Sequence, residues 1–260
     1  MPLAVEACGW QGQWRQLVRS IVRVDTVRGE QQLLATFMQP AHPTVLAFVN
    51  AHAMNSAAAS RDFYEAVQAA DVVLRDGAGM AILLKLLNLE PGRNLNGTDL
   101  IPKILRQYAG RPIALFGTRE PYLSKAQEVI TSSIAVGSAC MTAHGFHDTE
   151  TYVRLASQQQ PALIVLGMGM PRQEAVAREL RATLDTPCLI VCGGAILDFL
   201  GGKTSRAPRW MRGVGLEWLF RLALEPRRLF RRYVIGNPVF LARALALAAG
   251  TSRPGRGAPT

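Results

Sequence analysis

Acidic residues nearly vanish from the end of this chain. Of its 260 residues, the last 60 carry only Glu217 and Glu225 against 12 arginines and lysines, an excess of +10 that equals the net charge of the whole protein. The first 200 residues balance, 17 basic against 17 acidic. Charge confined to one end implies a local anionic partner, either nucleic acid, an anionic membrane or phosphates. Cysteine and histidine are also scarce, four of each. Cys8, Cys140, Cys188 and Cys192 show no C-x2-C spacing and three lie in apolar runs, which reads as reduced core cysteines and excludes a disulfide framework. His144 and His147, in AHGFHD, have no further Cys/His cluster nearby and read as a solvent-facing turn, not as metal ligands. No D-x-D occurs, so no carboxylate pair is set to clasp a metal–diphosphate. The start, MPLAVEACGWQGQW, has no basic segment ahead of a long apolar core, so no signal peptide is expected. No run approaches the ~18–20 apolar residues of a bilayer span. The expectation is a chain that lies on a membrane without crossing it.

Apolar residues make up 49% of the sequence, enough for a sizeable core. Short apolar runs rich in strand formers alternate with helix-like stretches. PTVLAFV (43–49), DVVLR (71–75), PIALFG (112–117), ALIVLG (162–167) and PCLIVCGG (187–194) read as strands. Residues 56–70, the stretch to about Leu87, a segment capped by Thr98 or Asp99, Tyr122 to about Ser132, and the stretch after MGMPRQE read as helices. SIVRVD (20–25), followed by Thr26 as a cap and a helix to about Met38, offers one more unit. Near-continuous apolar strands alternating with helices predict an α/β fold: a Rossmann-like, largely parallel sheet with helices on both faces. Composition shifts to Arg, Trp, Phe and Pro after about Gly202. The expected division is an α/β catalytic domain over 1–202, a basic amphipathic membrane-associating helical appendage over 203–249, and a disordered tail over 250–260.

Ligands of open α/β sheets bind outside the carboxyl ends of the strands. Here those ends carry Asn50, Asp76, Gly117-Thr118, Gly167 to Gln173 and Gly193-Gly194. Glycine lets a ligand approach the backbone, and the next helix N-terminus offers free N–H groups to phosphate. Five such ends point to a phosphate-bearing small molecule. GMGMPRQE (167–174) is not a dinucleotide fingerprint, because Arg172 stands where the third glycine belongs, and no G-K-S/T of a P-loop follows. Asp76, in D-G-A-G, has two readings: the N-cap of the next helix or a general base projecting into the crevice.

The blocks VNAHAMN, ADVVLRDGAG, NGTDL, GMGMPRQE, GGAILDFLGG, RAPRW, GLEWLFRLALEPRRLFRRY and GNP, in this order over about residues 20–243, resemble the WecG/TagA/CpsF bacterial glycosyltransferases. The resemblance implies an inverting transfer, without metal or other cofactor, of a sugar of N-acetylmannosamine, N-acetylmannosaminuronate or glucose type. The donor would be a UDP-sugar and the acceptor a polyprenyl-diphosphate-linked saccharide. The enzyme would work peripherally at the cytoplasmic face of the bacterial inner membrane, in cell-surface polysaccharide synthesis. Carried over residue by residue, Asp76 becomes the base. Asn50, Gly77, Gly79, Arg93, Thr98, Asp99, Gly117, Gly167, Gly169, Pro171, Gln173, Gly193, Gly194 and Asp198 become donor or acceptor contacts. Arg206, Arg221, Arg228 and Arg231 become contacts to diphosphate and membrane. Two departures stand out: Phe48 where members often have Thr, and Asn94 where members often have Arg, which leaves Arg93 one position off.

The stretch 206–233 explains the charge pattern. It holds eight arginines among large apolar residues, and Pro208 and Pro226 divide it. Leu216, Leu219, Phe220 and Ala223 can form one face, and Leu229, Phe230 and Tyr233 another, flanked by arginines. That is an interfacial design for an anionic membrane. A nucleic-acid-binding tail on an inert α/β body is the alternative; the ligand-ready strand ends and the tail's apolar excess weigh against it, so no nucleic-acid partner is expected. Without a membrane the apolar tail can pack on a second copy, leaving a homo-oligomer in solution open. A chain ending after about Ser205 is expected to stay folded and to lose activity on lipid acceptor.

Overall fold

The computed structural model describes residues 9–213 and 215–251. Helices α1 (Trp10–Ser20) and α2 (Val27–Thr36) precede β1 (Thr44–Val49). Then α3 (Ala51–Ala59) and α4 (Arg61–Gln68) lead to β2 (Val72–Arg75), and α5 (Ala78–Leu86) and α6 (Gly97–Gln107) to β3 (Ile113–Gly117). Helix α7 (Tyr122–Val129), extended by a π-helical turn Ile130–Ile134, leads to β4 (Cys140–Ala143); α8 (Thr149–Gln159) to β5 (Leu163–Gly167); α9 (Arg172–Thr183) to β6 (Leu189–Cys192). After β6 come α10 (Ile196–Leu200), α11 (Arg209–Gly213), α12 (Glu217–Leu224) and α13 (Pro226–Phe230), with a π-helical turn Arg231–Ile235 running on into α14 (Gly236–Thr251).

The six strands form one parallel sheet in the order β2-β1-β6-β5-β3-β4. Side chains alternate between its faces, as the two-residue period of a strand requires. Leu46, Phe48, Leu115, Val165 and Val191 pack with residues of α2, α6, α7 and α10 on one side. On the other, Val45, Ala47, Phe116, Ile164 and Ile190 pack under α8 and α9, and Val49 and Val73 under α1, α3, α4, α5 and α14. With both faces covered, β1, β3, β5 and β6 are almost wholly apolar, the signature from which the parallel α/β arrangement was expected.

Several elements differ from expectation. SIVRVD forms no strand: Ser20 ends α1, and Ile21 makes one isolated bridge to Val73. The sixth strand is instead β4, an edge strand whose first three residues are only half-buried, so it lacks the apolar run that marks the others. The helical stretch at 56–70 is two helices that meet at Ser60, whose hydroxyl caps the second by accepting from Phe63 N. Asn96 caps α6, accepting from Asp99 N at 3.0 Å, and neither Thr98 nor Asp99 does so.

Pro226–Gly250 runs as one helix, long and apolar enough by length and composition to cross a membrane. The sequence reading missed this because arginines interrupt its first two turns. One of its faces is in the core: Phe240, Ala244 and Leu247 are buried with Trp14, Met54 and Met80, and the Phe240 and Trp14 rings lie 5.4 Å apart. Another face, with Phe230, Val234, Ile235, Val239, Leu241 and Leu245, is exposed. Thus residues beyond 202 contribute both a wall of the core and an uncovered apolar surface. The tail expected to be disordered lies, from residue 252 on, outside the described residues, as does Cys8; Cys140, Cys188 and Cys192 are free thiols, half-buried or buried.

Candidate active site

Asp76 follows the last residue of β2, and its backbone N–H donates to Val49 O of β1 at 2.8 Å. It does not cap α5. The N-cap is Gly77, at φ +87°, and no side chain caps that helix. Freed from that role, the half-buried carboxylate lies in the crevice between β1 and β2. Asn50 caps α3 by accepting from Ala53 N at 3.1 Å, which turns its amide N–H toward Asp76. Burial raises the Asp76 pKa above the ordinary carboxylate value, opposed by Asn50 and by the charges of Arg232, Arg221 and Arg75. A carboxylate biased toward holding a proton, yet kept ionisable by cations, suits a general base.

Arg75, 7% exposed at the end of a buried strand, holds the neighbouring loop. Its guanidinium donates to Pro91 O (2.6 Å) and Gly92 O (2.5 Å) and reaches Asn94 Oδ1 (3.4 Å). Asn94 Oδ1 in turn accepts from Gly77 N at 3.1 Å. The residue found where the family often has arginine thus fixes the turn that carries Asp76. Arg93 points elsewhere. It pairs at 3.2 Å with buried Glu30, which Lys103 also contacts, on the wall of a cavity of about 340 Å³ shared with Asn94 and Asp99. Gly79 has no open ligand side: a Cβ there would meet Ala51 Cβ at 3.3 Å and the Phe240 ring at 3.4 Å, so it admits α14.

The C-terminal segment roofs the crevice with cations. Asp99 pairs with Arg206 (2.7 Å) and Arg212 (3.7 Å), tying α6 to the start of that segment. Arg221 stacks 5.5 Å over Phe199 and, with Arg232, faces Asp76. The Nε groups of Arg221 and Arg232 are buried with no hydrogen-bond partner among the described residues. An unpaired buried donor costs about 1–3 kcal/mol, so these side chains are set to receive an acceptor. Burial pulls the Arg232 pKa down, with the Tyr233 hydroxyl and Asp76 opposing and Arg221 adding to the fall. Burial, and then Arg232, also lowers His52 to about 4, so its ring is neutral at physiological pH. Glu217 lies in the same cluster, its pKa raised by burial against the pull of Arg206. Of the other two expected arginines, Arg228 is bound to Glu225 (2.8 Å) and Arg231 is exposed. Arg232, the second residue of the π-helical turn, is the one whose charge acts on Asp76.

A second group of expected residues meets at the boundary of β5 and β3. The chain leaves β3 toward β4 and leaves β5 toward β6, in opposite directions, which makes this a topological switch point. Gly117 and Gly167 face each other there, and a Cβ on Gly117 would fall 2.4 Å from Gly167 backbone. Thr118, at φ +43°, donates from Oγ1 to Asp198 Oδ1 at 2.5 Å, and Lys203 pairs with that same oxygen at 2.9 Å. Gly169 and Gly194 adopt positive φ in the flanking turns, and Pro171 precedes α9. Gln173 is 1% exposed with both amide ends engaged: Oε1 accepts from Gly194 N (2.8 Å) and Nε2 donates to Glu174 Oε1 (2.9 Å). Burial pushes Glu174 up to about 7. Thr98 and Arg206 line a second cavity, of about 470 Å³, with Ile196, Phe199 and Thr204. Arg75, Asn94, Glu217 and Arg232 were not among the expected site residues, Asn94 having been noted only as a departure from the family. Only Arg75 gave a usable signal, as a charge inside a buried strand.

A Rossmann-like sheet, a carboxylate with raised affinity for protons, two buried arginine Nε groups without partners among the described residues and a glycine-lined switch point thus stand along the carboxyl ends of the strands. The chain belongs to the WecG/TagA/CpsF family of glycosyl transferases, whose profile matches residues 19–254. It is similar to the N-acetylglucosaminyldiphosphoundecaprenol N-acetyl-β-D-mannosaminyltransferase of Bacillus subtilis, 25% identical over 71% of this chain and 73% of that one. The enzyme of the same name in Staphylococcus aureus is 22% identical over 86% of this chain and 85% of its own.

Proposed function

We propose that this glycosyltransferase moves an N-acetylmannosaminyl group from its UDP donor onto an N-acetylglucosaminyl-diphosphoundecaprenol acceptor, with inversion and without a metal ion. The named activity of the two relatives supports the sugar and the acceptor. The single observation that carries the mechanism is Asp76 beneath Arg221 and Arg232. The acceptor hydroxyl gives its proton to the Asp76 carboxylate as its oxygen attacks C1 of the donor sugar. The bond from C1 to the diphosphate oxygen breaks, and UDP leaves with the electron pair. One displacement inverts the anomeric centre. The charge growing on the leaving diphosphate meets guanidiniums whose donors are already buried and aimed, which stabilises it without reorganisation.

Location follows from surface chemistry. Trp218, Leu219, Leu224, Phe230, Val234 and Ile235 are exposed together beside the arginine-rich turns. Such a surface supports reversible docking on the anionic cytoplasmic face of the inner membrane, where the lipid-linked acceptor lies, each arginine contributing about 1 kcal/mol that salt screens. The proposal is tested with the full chain, UDP-N-acetylmannosamine and the diphosphate-lipid acceptor in anionic vesicles with excess EDTA. A β-linked disaccharide-lipid is expected, with sedimentation on the vesicles that weakens as salt rises. Activity that EDTA abolishes and Mg²⁺ restores, or no transfer from any UDP-sugar, overturns it.

A further inference from the structure

Glu174 is a buried carboxylate that takes no part in the transfer step. It stands in the first turn of α9, 2% exposed, and no cation acts on it, so burial raises its pKa to about 7. A first-turn acid favours a helix N-terminus from an exposed position just as well, so that role does not account for enclosing it. Its two oxygens differ. Oε2 is buried with no hydrogen-bond partner among the described residues. Oε1 accepts from Gln173 Nε2 at 2.9 Å. The ionised side chain is a cost to the fold, and what it offers in return is an acceptor for the Gln173 amide.

Gln173 ties two glycine turns together. Its backbone N–H donates to Gly169 O at 3.1 Å, and its side-chain Oε1 accepts from Gly194 N at 2.8 Å. Gly169 (φ +81°) and Gly194 (φ +60°) belong to the turns after β5 and β6. A Cβ on either would meet nothing within 4 Å, so both turns present backbone to open space at the strand ends. The tie needs the amide in one orientation. The oxygen and nitrogen ends of a glutamine amide have nearly the same shape, so its neighbours decide which end points where. Gly194 N–H calls for the oxygen, and that leaves the amide nitrogen buried and in need of an acceptor. Glu174 Oε1 supplies it.

We propose that Glu174 is a positioning residue for donor binding: it holds the Gln173 amide so that its oxygen locks the Gly194 turn, and both glycine turns are set before the donor arrives. This rests on the UDP-sugar donor proposed above. The test measures donor KM, kcat and, by calorimetry, UDP affinity for three variants of the full chain. Glu174→Gln keeps a carbonyl oxygen at the same reach and should leave donor KM and UDP affinity within about threefold of wild type. Glu174→Asp keeps the charge but falls one methylene short, and Glu174→Met keeps the length without a strong acceptor. Each of these two should raise donor KM and weaken UDP binding about 5- to 100-fold, the effect of one lost buried hydrogen bond, while kcat at saturating donor and acceptor KM are unchanged. In a Gln173→Met background Glu174→Met should add nothing further. Should the methionine variant fail to fold, the aspartate variant carries the comparison with Glu174→Gln. A carboxylate that only supports the fold would lower the melting midpoint of the aspartate and methionine variants and leave donor KM of the folded enzyme as it was. One that acts by its charge would spare Glu174→Asp and impair Glu174→Gln. Either pattern overturns the proposal. Failure of the donor reading shows instead in the wild-type protein, which then binds no UDP.

Discussion

Asp76→Asn removes the proposed base while leaving its surroundings in place. The backbone bond to Val49 O is untouched, and an Asn oxygen can accept the Asn50 amide N–H as the carboxylate does. What disappears is one negative charge and the ability to take a proton. A positioned base contributes ~10²–10⁴-fold, so kcat should fall by at least about two orders of magnitude with donor KM changed little. Stability should move the other way. Burial raises the Asp76 pKa above its unfolded value, so the folded state holds the proton more tightly. The stability this group provides is therefore complete at low pH and is lost as pH rises through the folded value, where the carboxylate must ionise in the crevice. Asn carries no such penalty, so at neutral pH the variant should melt at or above the wild-type midpoint. The same shift places the acid limb of kcat/KM above the ordinary carboxylate range. Turnover is read by release of UDP with the lipid acceptor, and melting by calorimetry. A variant within tenfold of wild-type turnover would falsify the role, and one that loses activity only by unfolding would show that Asp76 supports the fold instead.

Phe240→Ala should cost about 3–5 kcal/mol, because the ring is 1% exposed against Trp14 and beside Gly79; a midpoint drop below about 3 °C would show that α14 is not part of the core. Glu174, raised to about 7 from 4.5 by burial, stabilises the fold fully below pH ~4.5 and loses that contribution as pH rises through ~7, by about 3 kcal/mol at most. Glu174→Gln should flatten denaturant-measured stability between pH 5 and 7; an unchanged slope would assign the titration to another group.

The parallel sheet was legible because every strand but one is buried on both faces and reads as an unbroken apolar run. The exception, β4, is an edge strand with half-buried residues, and the strand-like SIVRVD ends a helix whose buried Trp14, Leu17 and Val18 fit a helical period better. The strand-end residues were legible too, since parallel strands point their carboxyl ends to one side. Their individual partners were not. Glycine at 79 meets Phe240 from 161 residues away in the chain, and no local pattern reports a contact of that range. For the same reason the expectation of a folded chain ending at Ser205 gives way: without Phe240, Ala244 and Leu247, the faces of Trp14, Met54 and Met80 would open to water. Arg231 was expected from the match to the family's arginine-rich block, whereas Arg232, its neighbour, is the one whose charge acts on Asp76.

The uninterrupted Pro226–Gly250 rod makes the protein a ruler. Its middle is clamped to the body by Phe240, and Arg232 sits eight residues earlier, about 12 Å along the axis. On the same rod, Val239, Leu241 and Leu245 face outward. Where those side chains rest on lipid, the height of Asp76 above the surface is a constant of the helix, not a variable of loop motion.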